Sequence, residues 1–468
     1  MPKKKLIKKE SRKEHKEREK VSLEGPYQSP RGMRDIMGDE LYAYQGFFEK
    51  ASEVAIYYGF TPIETPVLEQ EEVFIRGVGQ GTDVVDKELY TLRTKSGDRL
   101  ALRPEYTAGI MRAYLEHGMQ SLPQPVMLYS YGKLYRHDKP QRGRYREFHT
   151  FDIEILGSEK SINDAVVIKV FMAIMEEVGL QNLELRINSI GDKDCRPNYR
   201  KELINYYKKH LGKVCHDCLE RFKTNPLRLL DCKEPVCQEI KKEAPNSISY
   251  LCESCKLHFK ELLECLEALK IPYVMDHTLV RGLDYYTRTV FEVSQNQEAH
   301  GSEALGKDGV LASVPGQSLA VGGGGRYDYL AKILGSNKPV PAVGFGMGVD
   351  RIVQLLGKET LAPRFVKKPK VFFIQLGPEA KLLSLTVIEI LRQAKISVVH
   401  SVSKDSLASQ LAMAEKTGVP YTILLGQREV IDKTVIVRDM GNRSQKSISL
   451  PALAQYVRDL TKPNVAKK

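Results

Sequence analysis

No apolar run in the 468 residues approaches the roughly 18 that a membrane-spanning helix requires, so no membrane span is expected. The basic start of the chain has no apolar segment behind it, which argues against a secretory signal. Its acidic residues Glu10, Glu14, Glu17 and Glu19 argue against a mitochondrial presequence. The expected location is the cytoplasm. Eight cysteines in 468 residues are too few for a secreted disulfide scaffold. A G-x-x-x-x-G-K-S/T loop is also missing, and Gly344-Phe345-Gly346-Met347-Gly348 lacks the G-x-G-x-x-G spacing of a dinucleotide fold. If ATP binds, arginines hold it.

What is present is an ordinary globular composition, 42% hydrophobic and 28% charged, with a formal net charge of +12. Such a positive balance points to a polyanionic partner, most commonly nucleic acid. Residues 1–20 carry ten Lys/Arg against four Glu, so this stretch alone supplies +6 of the +12. Residues 1–24 read as a disordered basic extension, either a phosphate-binding arm or a solubilising tail.

Residues 39–58 have a helical apolar period through Leu41, Tyr44, Phe48, Ala51, Ala55 and Tyr58, with Gly59 placed to end the helix. Pro62 and Pro66 then force an extended segment. Strand-like runs at 99–103, 126–136 and 147–156, followed by a helix at 163–178, predict an antiparallel sheet with helices packed on it. Residues 195–265 are helical, charged and Cys-rich, and read as an insertion. Strand character resumes through Arg288–Val293, a long loop covers 295–317, and a linker falls at 360–369. Beyond it, strand at 371–375, helix at 379–394, strand at 397–400, helix at 406–417 and strand at 421–425 indicate a small α/β domain with a mainly parallel sheet. The expected organisation is thus α+β: a domain over 25–360 with its insertion, then an α/β domain over 369–460.

In the run from Phe148 to Leu156, a period of two sets Phe151, Ile153 and Ile155 on one face and Thr150, Asp152 and Glu154 on the other. By itself this pattern favours a solvated outer face, with the floor of a substrate pocket as the alternative. The run from Arg136 to Arg146 crowds guanidiniums around a Pro/Gly turn. That favours phosphate binding over a plain hairpin tip. Gly322–Gly325 reads either as a tight turn or as bare backbone open to a ligand.

Four segments occur in order: Leu102-Arg103-Pro104-Glu105-Tyr106-Thr107, the Arg136–Arg146 run, Arg281-Gly282-Leu283-Asp284-Tyr285-Tyr286, and Gly344–Arg351. Together they resemble the histidyl-tRNA synthetase family of class II aminoacyl-tRNA synthetases, and the Arg281–Tyr286 stretch is the most specific of them. The resemblance implies an antiparallel catalytic domain with a helical insertion and a C-terminal α/β anticodon-binding domain. It implies activation of L-histidine by ATP with Mg²⁺, release of pyrophosphate, and transfer to the 3′ end of tRNA(His) by a homodimer whose interface includes the segment around Pro66. By the same resemblance, Arg136, Arg144 and Arg351 hold ATP, and Arg281 takes a place at the α-phosphate, making Arg281 and Arg136 the catalytic pair. Glu105 and Thr107 receive the amino acid's ammonium group, Thr150 and Arg281 also stand among the histidine-binding residues, Glu154 and Tyr286 hydrogen-bond its imidazole, and Tyr285 lines the pocket. Gln141 and Arg146 approach the tRNA acceptor end.

The chain departs from the family where Thr150 replaces a usual glutamine, where Tyr106 replaces a small residue, and in the length of the 295–317 loop. Cys215-x-x-Cys218 and Cys252-x-x-Cys255 are candidate ligands of a structural zinc, with reduced buried thiols as the alternative. A non-catalytic paralogue from histidine biosynthesis, a synthetase for another amino acid and a general RNA-binding protein are the competing readings. The phosphate-binding arginines, the Glu154/Tyr286 pair and the C-terminal domain argue against them.

Overall fold

The computed structural model describes residues 27–141, 143–295, 319–357, 361–366, 369–401 and 404–461. The basic extension and almost all of the 295–317 loop lie outside these residues. The described chain divides into two compact units, one ending at Pro363 and the next beginning at Arg364. Among the described residues no helix is long and apolar enough to cross a membrane.

The first unit opens with helix α1 (Asp39–Tyr57), whose Ala43, Tyr44, Phe47, Ala51 and Ala55 form its buried stripe. Gly59 follows at φ 90°, a left-handed conformation open to glycine without strain. The proline-bearing segment supplies β1 (Thr61–Pro62) and β2 (Leu68–Gln70), then α2 (Glu71–Val78). Strands β3 (Thr91–Arg93) and β4 (Arg99–Leu102) pair with β2 in a separate three-stranded sheet ordered β2-β4-β3. The run expected at 99–103 is therefore a strand, but of this side sheet. Pro104 cannot donate to a ladder, and α3 (Thr107–Glu116) starts just after it.

The main sheet takes β5 (Val126–Tyr135), β6 (Glu147–Leu156), β7 (Leu183–Ser189), β8 (Val274–Met275), β9 (Thr287–Gln295), β10 (Leu319–Arg326) and β11 (Ala342–Gly348). With β1 its order is β1-β5-β6-β11-β10-β9-β7-β8. The pairings from β5 to β7 are antiparallel, and only the two short edge strands run parallel to their neighbours. Gly322–Gly325 lies inside β10 and forms no turn. Helix α4 (Ser161–Val178) covers one face, packing Val167, Val170, Phe171 and Ile174 in the same core as Phe151, Ile153 and Ile155. It stops at Gly179, φ 85°.

Between β7 and β8 the insertion folds as α5 (Arg196–Lys208), α6 (His216–Thr224), α7 (Pro235–Lys242) and α8 (Glu253–Ala268). Its small core includes Tyr199, Leu203, Tyr207, Leu229 and three cysteines, with Cys215 packed against it. Helices α9 (Leu330–Ile333) and α10 (Val349–Leu356) complete the unit.

The second unit alternates β12 (Val371–Gln375), α11 (Pro378–Gln393), β13 (Val398–His400), α12 (Leu407–Thr417) and β14 (Tyr421–Leu425). It then adds α13 (Gln427–Asp432), β15 (Thr434–Asp439), β16 (Gln445–Ser449) and α14 (Leu450–Thr461). The sheet order is β13-β12-β14-β15-β16. Only the first two pairings are parallel, so the mainly parallel sheet expected from the sequence is corrected to a mixed one. The two-residue-period segments after Leu425 close it as a hairpin, which needs no helical crossover.

Candidate active site

The polar face of β6 is buried: Thr150 is 7% exposed, Asp152 6% and Glu154 1%. The solvated outer face favoured by alternation alone is therefore overturned. The reason is central placement, since β6 is paired on both sides, by β5 and β11. Across from Glu154, Asp152 and Thr150 stand Gly344, Gly346 and Gly348 of β11. A methyl group at Gly344 would lie 1.6 Å from Glu154 Oε2, and one at Gly346 2.6 Å from Asp152 Oδ1. On β10, a methyl at Gly323 would lie 2.7 Å from Arg281 Nη1 and one at Gly325 3.0 Å from Tyr286 Cδ1. The glycines of these two central strands therefore leave a floor of bare backbone on which Glu154, Asp152, Arg281 and Tyr286 share one face.

Glu154 is held at both oxygens. Thr107 donates to Oε1 at 2.6 Å and the Tyr327 hydroxyl donates to Oε2. Glu105 accepts from the backbone N–H of Ala108 at 2.8 Å and from the Tyr285 hydroxyl at 3.4 Å. Tyr285 packs 4.7 Å from Tyr286 and 5.6 Å from Tyr327, centroid to centroid. Burial pushes Asp152 up to about 7, with the Thr150 contact opposing and the Glu105 charge reinforcing it. Burial likewise drives Glu154 well above the carboxylate range, against the pull of Thr107 and Tyr327. Three buried carboxyls thus sit together with too little positive charge, an arrangement suited to a ligand that brings some. Asp152 Oδ2 has no hydrogen-bond partner among the described residues.

The guanidiniums lie beside this floor. Arg281 is 3.2 Å from Glu292, and its carbon lies 5.9 Å from the Tyr286 ring centre. Its Nε is buried without a partner. Burial raises the Tyr286 phenol, while the opposing charges of Arg281 and Glu154 both act on it. Arg136 at the end of β5 donates to the Pro104 carbonyl at 2.9 Å and lies over Phe148. Arg351 donates to the carbonyls of Gly143 at 3.1 Å and Ala320 at 2.7 Å. Burial first, and then the like charges of Arg144 and Arg136, lower the Arg351 pKa, while Glu292 opposes them. Arg144 is half-exposed and paired with Asp138.

The fan is anchored through Asp350. Its carboxylate accepts from the Tyr44 hydroxyl at 2.7 Å and from the His149 backbone N–H at 2.6 Å, which ties the start of α10 to α1 and β6. Two tRNA-facing candidates lie apart from the pocket. Gln141 is exposed and bridges Arg144, and Arg146 donates to the carbonyls of Asp138 at 3.1 Å and Arg31 at 3.4 Å. Tyr106 is buried 4.4 Å from the Arg103 guanidinium.

Reasoning from sequence missed Tyr327, Asp350 and the open valence of Asp152. A signal for Tyr327 existed: the two-residue alternation of Gly323 and Gly325 continues onto it. The structure also corrects the grouping of the four candidate zinc ligands. Cys215 and Cys218 gather with Cys232 and Cys237, whereas Cys252 and Cys255 gather with Asp192 and Cys195.

Comparison with known proteins supplies independent findings. The histidyl-tRNA synthetase family profile matches residues 32–192, and an anticodon-binding domain profile matches 370–460. The chain is 40% identical over 427 residues to a histidine–tRNA ligase of Dehalococcoides mccartyi, covering 91% of this chain and 98% of that protein. It is 39% identical over 443 residues to the histidine–tRNA ligase of Symbiobacterium thermophilum, at 92% and 98% coverage. Among solved structures, apo S. aureus histidyl-tRNA synthetase superposes with a TM-score of 0.73 at 28% identity, covering 92% of this chain and 99% of that one.

Proposed function

The chain belongs to the histidine–tRNA ligase family, enzymes of translation that join histidine to its tRNA with ATP, and from that premise we propose how its own residues divide the work. Histidine sits on the glycine floor. Its ammonium group faces Glu105, Thr107, Thr150 and Tyr285, where buried carboxyl groups outnumber cations. Its imidazole donates to a free lone pair of Glu154 and meets Tyr286. A carboxylate offers about four acceptor positions, so Glu154 serves the ligand as well as Thr107 and Tyr327. An amino acid without a ring N–H would leave that buried acid unmatched, which supports discrimination on the order of 10⁴-fold.

ATP lies along the arginines. Arg136 receives the α-phosphate, and Arg351 also holds the nucleotide. Arg144 exchanges Asp138 for the γ-phosphate, and Arg281 neutralises charge at the α-phosphorus as the histidine carboxylate attacks and pyrophosphate leaves. The substrate is its own nucleophile, so the protein acts by positioning and by charge stabilisation. Glu292, half-exposed beside Arg281, is the carboxylate suited to share a Mg²⁺ ion with the phosphates, which would supply further charge neutralisation. The tRNA 3′ ribose hydroxyl then takes the activated histidine, with Gln141 and Arg146 on the acceptor-end side and the second unit, 369–460, reading the anticodon. A cytoplasmic homodimer is part of this proposal. Exposed Tyr57, Val67 and Leu68 around Pro66 support an interface there. A structural zinc in the insertion belongs to it as well.

One observation carries the proposal: the paired glycines Gly344 and Gly325 lie against Glu154 and Tyr286, and Arg281 lies 5.9 Å from the Tyr286 ring centre, so acid, phenol and guanidinium share one backbone floor. ATP–pyrophosphate exchange measured with each amino acid in turn tests it. Histidine alone is expected to support exchange. Exchange with proline or glycine, or none with any amino acid, overturns the assignment.

A further inference from the structure

All eight cysteines are unpaired, and seven of them gather in two places. The sulfurs of Cys215, Cys218, Cys232 and Cys237 lie within 4.8 Å of one another, as do the ligand atoms of Asp192, Cys195, Cys252 and Cys255. Cys215 Sγ is 3.8 Å from Cys232 Sγ, and Cys195 Sγ is 3.9 Å from Cys255 Sγ. A disulfide needs about 2.05 Å. Sulfurs at the corners of a tetrahedron around zinc, each about 2.3 Å from the ion, stand about 3.8 Å apart. A carboxylate corner brings its oxygen slightly closer, and Asp192 Oδ1 is 3.5 Å from Cys195 Sγ.

The backbone repeats itself between the two places. Cys215 caps α6 with φ −67° and ψ 164°, and Cys252 caps α8 with φ −70° and ψ 164°. In each case the second cysteine of the C-x-x-C pair falls in the first helical turn and is 1% exposed. Backbone N–H groups point at the sulfurs: Cys215 N–H donates to Cys237 Sγ at 3.3 Å, and Asp192 N–H to Cys195 Sγ at 3.4 Å. Buried thiols do pack as small apolar groups. Apolar packing alone, however, gives no reason for two sets of four ligands, each with the same capped knuckle.

We propose that the insertion holds two separate tetrahedral zinc ions, one on four cysteines and one on three cysteines and Asp192, and that together they brace the Arg281–Tyr286 loop from behind. The bracing contacts come from the segments that carry the other ligands. Between Cys218 and Cys232, Arg228 donates to the Gly282 carbonyl at 2.7 Å and Asn225 to Asp284 at 2.5 Å. Next to Cys195, Arg196 donates to the Tyr286 carbonyl at 2.6 Å and to the Gly191 carbonyl at 3.0 Å. Asp192 turns Oδ1 to the cysteines and Oδ2 towards Arg288, 3.5 Å away. Arg288 itself holds φ 49°, a conformation a non-glycine residue rarely keeps unless its surroundings impose it, and its N–H is fixed on Gly191. The bracing part of the proposal rests on the histidine pocket assigned above, but the metal sites do not.

Zinc is counted in the purified, dialysed full-length protein by inductively coupled plasma mass spectrometry. Two equivalents per chain are expected for the unmodified protein and for C265S, and one each for C218S and C255S. No zinc in the purified, folded protein overturns both sites. A single equivalent overturns the site whose variant leaves the count unchanged, and iron in place of zinc overturns the metal identity. Should a serine variant fail to fold, chelation by 1,10-phenanthroline followed by Zn²⁺ restoration replaces it. For the bracing, removal of the metal from the Asp192 site is expected to raise the histidine KM about tenfold while the KM for ATP changes little. An unchanged histidine KM in zinc-depleted, folded protein overturns that role. Two zincs without histidine-dependent exchange would sink the functional assignment and leave this one standing, and the converse result would do the reverse.

Discussion

Arg326 and Tyr327 are neighbours in sequence, yet they serve buried polar clusters on opposite sides of the main sheet. Arg326, fully buried, bonds Asp164 at 2.5 Å, Asp328 at 3.1 Å and the Ser158 carbonyl at 2.5 Å, while His258 meets Asp164 at 3.2 Å. Every charge there has a partner. Tyr327 points to Glu154, in a group of carboxyls with too few cations and one orphaned oxygen. A buried cluster that satisfies itself is structural, whereas one that leaves acids unmatched is prepared for a visitor.

The sharpest way to break this comparison is to open the closed cluster. Asp164→Ala strips buried Arg326 of the shorter of its two carboxylate contacts and takes the acid partner from His258, leaving Asp328 alone to balance the guanidinium, and urea unfolding is expected to show a loss of about 3 kcal/mol. The histidine KM of the folded fraction should stay within about twofold; a large KM change would mean that this cluster is not purely structural. Next in size, Arg281→Ala is expected to lower histidine-dependent pyrophosphate exchange by roughly 10²–10³-fold with circular dichroism unchanged. Near-normal turnover would show that its role is misassigned. Tyr327→Phe removes a hydrogen bond to an acid, a contact worth about 1.5–3 kcal/mol, so its histidine KM should rise about 10- to 100-fold in the exchange assay.

The smallest effect separates the two aspartates by pH. Burial alone would raise Asp164, but Arg326 and then His258 outweigh it and hold the group below its ordinary value. Its contribution to stability is therefore present at neutral pH and is lost as pH falls through the folded-state value. Asp152 has the opposite sign. Raised to about 7, it keeps a proton in the fold that the unfolded chain has already released, so stability falls as pH climbs from the ordinary Asp range towards 7. Thermal melts of Asp152→Asn between pH 5 and 8 should be flatter than those of the unmodified protein by a few degrees. Identical slopes would remove Asp152 as the titrating group.

Much of the frame was legible. β6 is bounded as expected because ten residues of alternating character leave little freedom, and Gly59 and Gly179 mark helix ends through their positive φ. The burial of the polar face of β6 was not legible from alternation, since a period of two says which residues share a face but not what lies over it. The partners of the cysteines were hidden for a related reason. Spacing pairs Cys215 with Cys218, and Cys252 with Cys255, but the fold supplies Cys232, Cys237, Cys195 and Asp192 from other segments. The antiparallel run of β15 and β16 was not legible, because strand direction is not written in the period of a strand and the short α13 before β15 returns the chain without a parallel crossover, and they turn the second sheet from parallel to mixed.

The row of hydrogens at Gly323, Gly325, Gly344 and Gly346 has a further consequence. Where another sheet would seat a layer of side chains, this one leaves bare backbone, and under the proposed function the bound histidine supplies the missing tier of packing. Substitution at these four positions is closed off, because even one methyl would collide with the neighbouring backbone or with Glu154, Asp152, Arg281 or Tyr286.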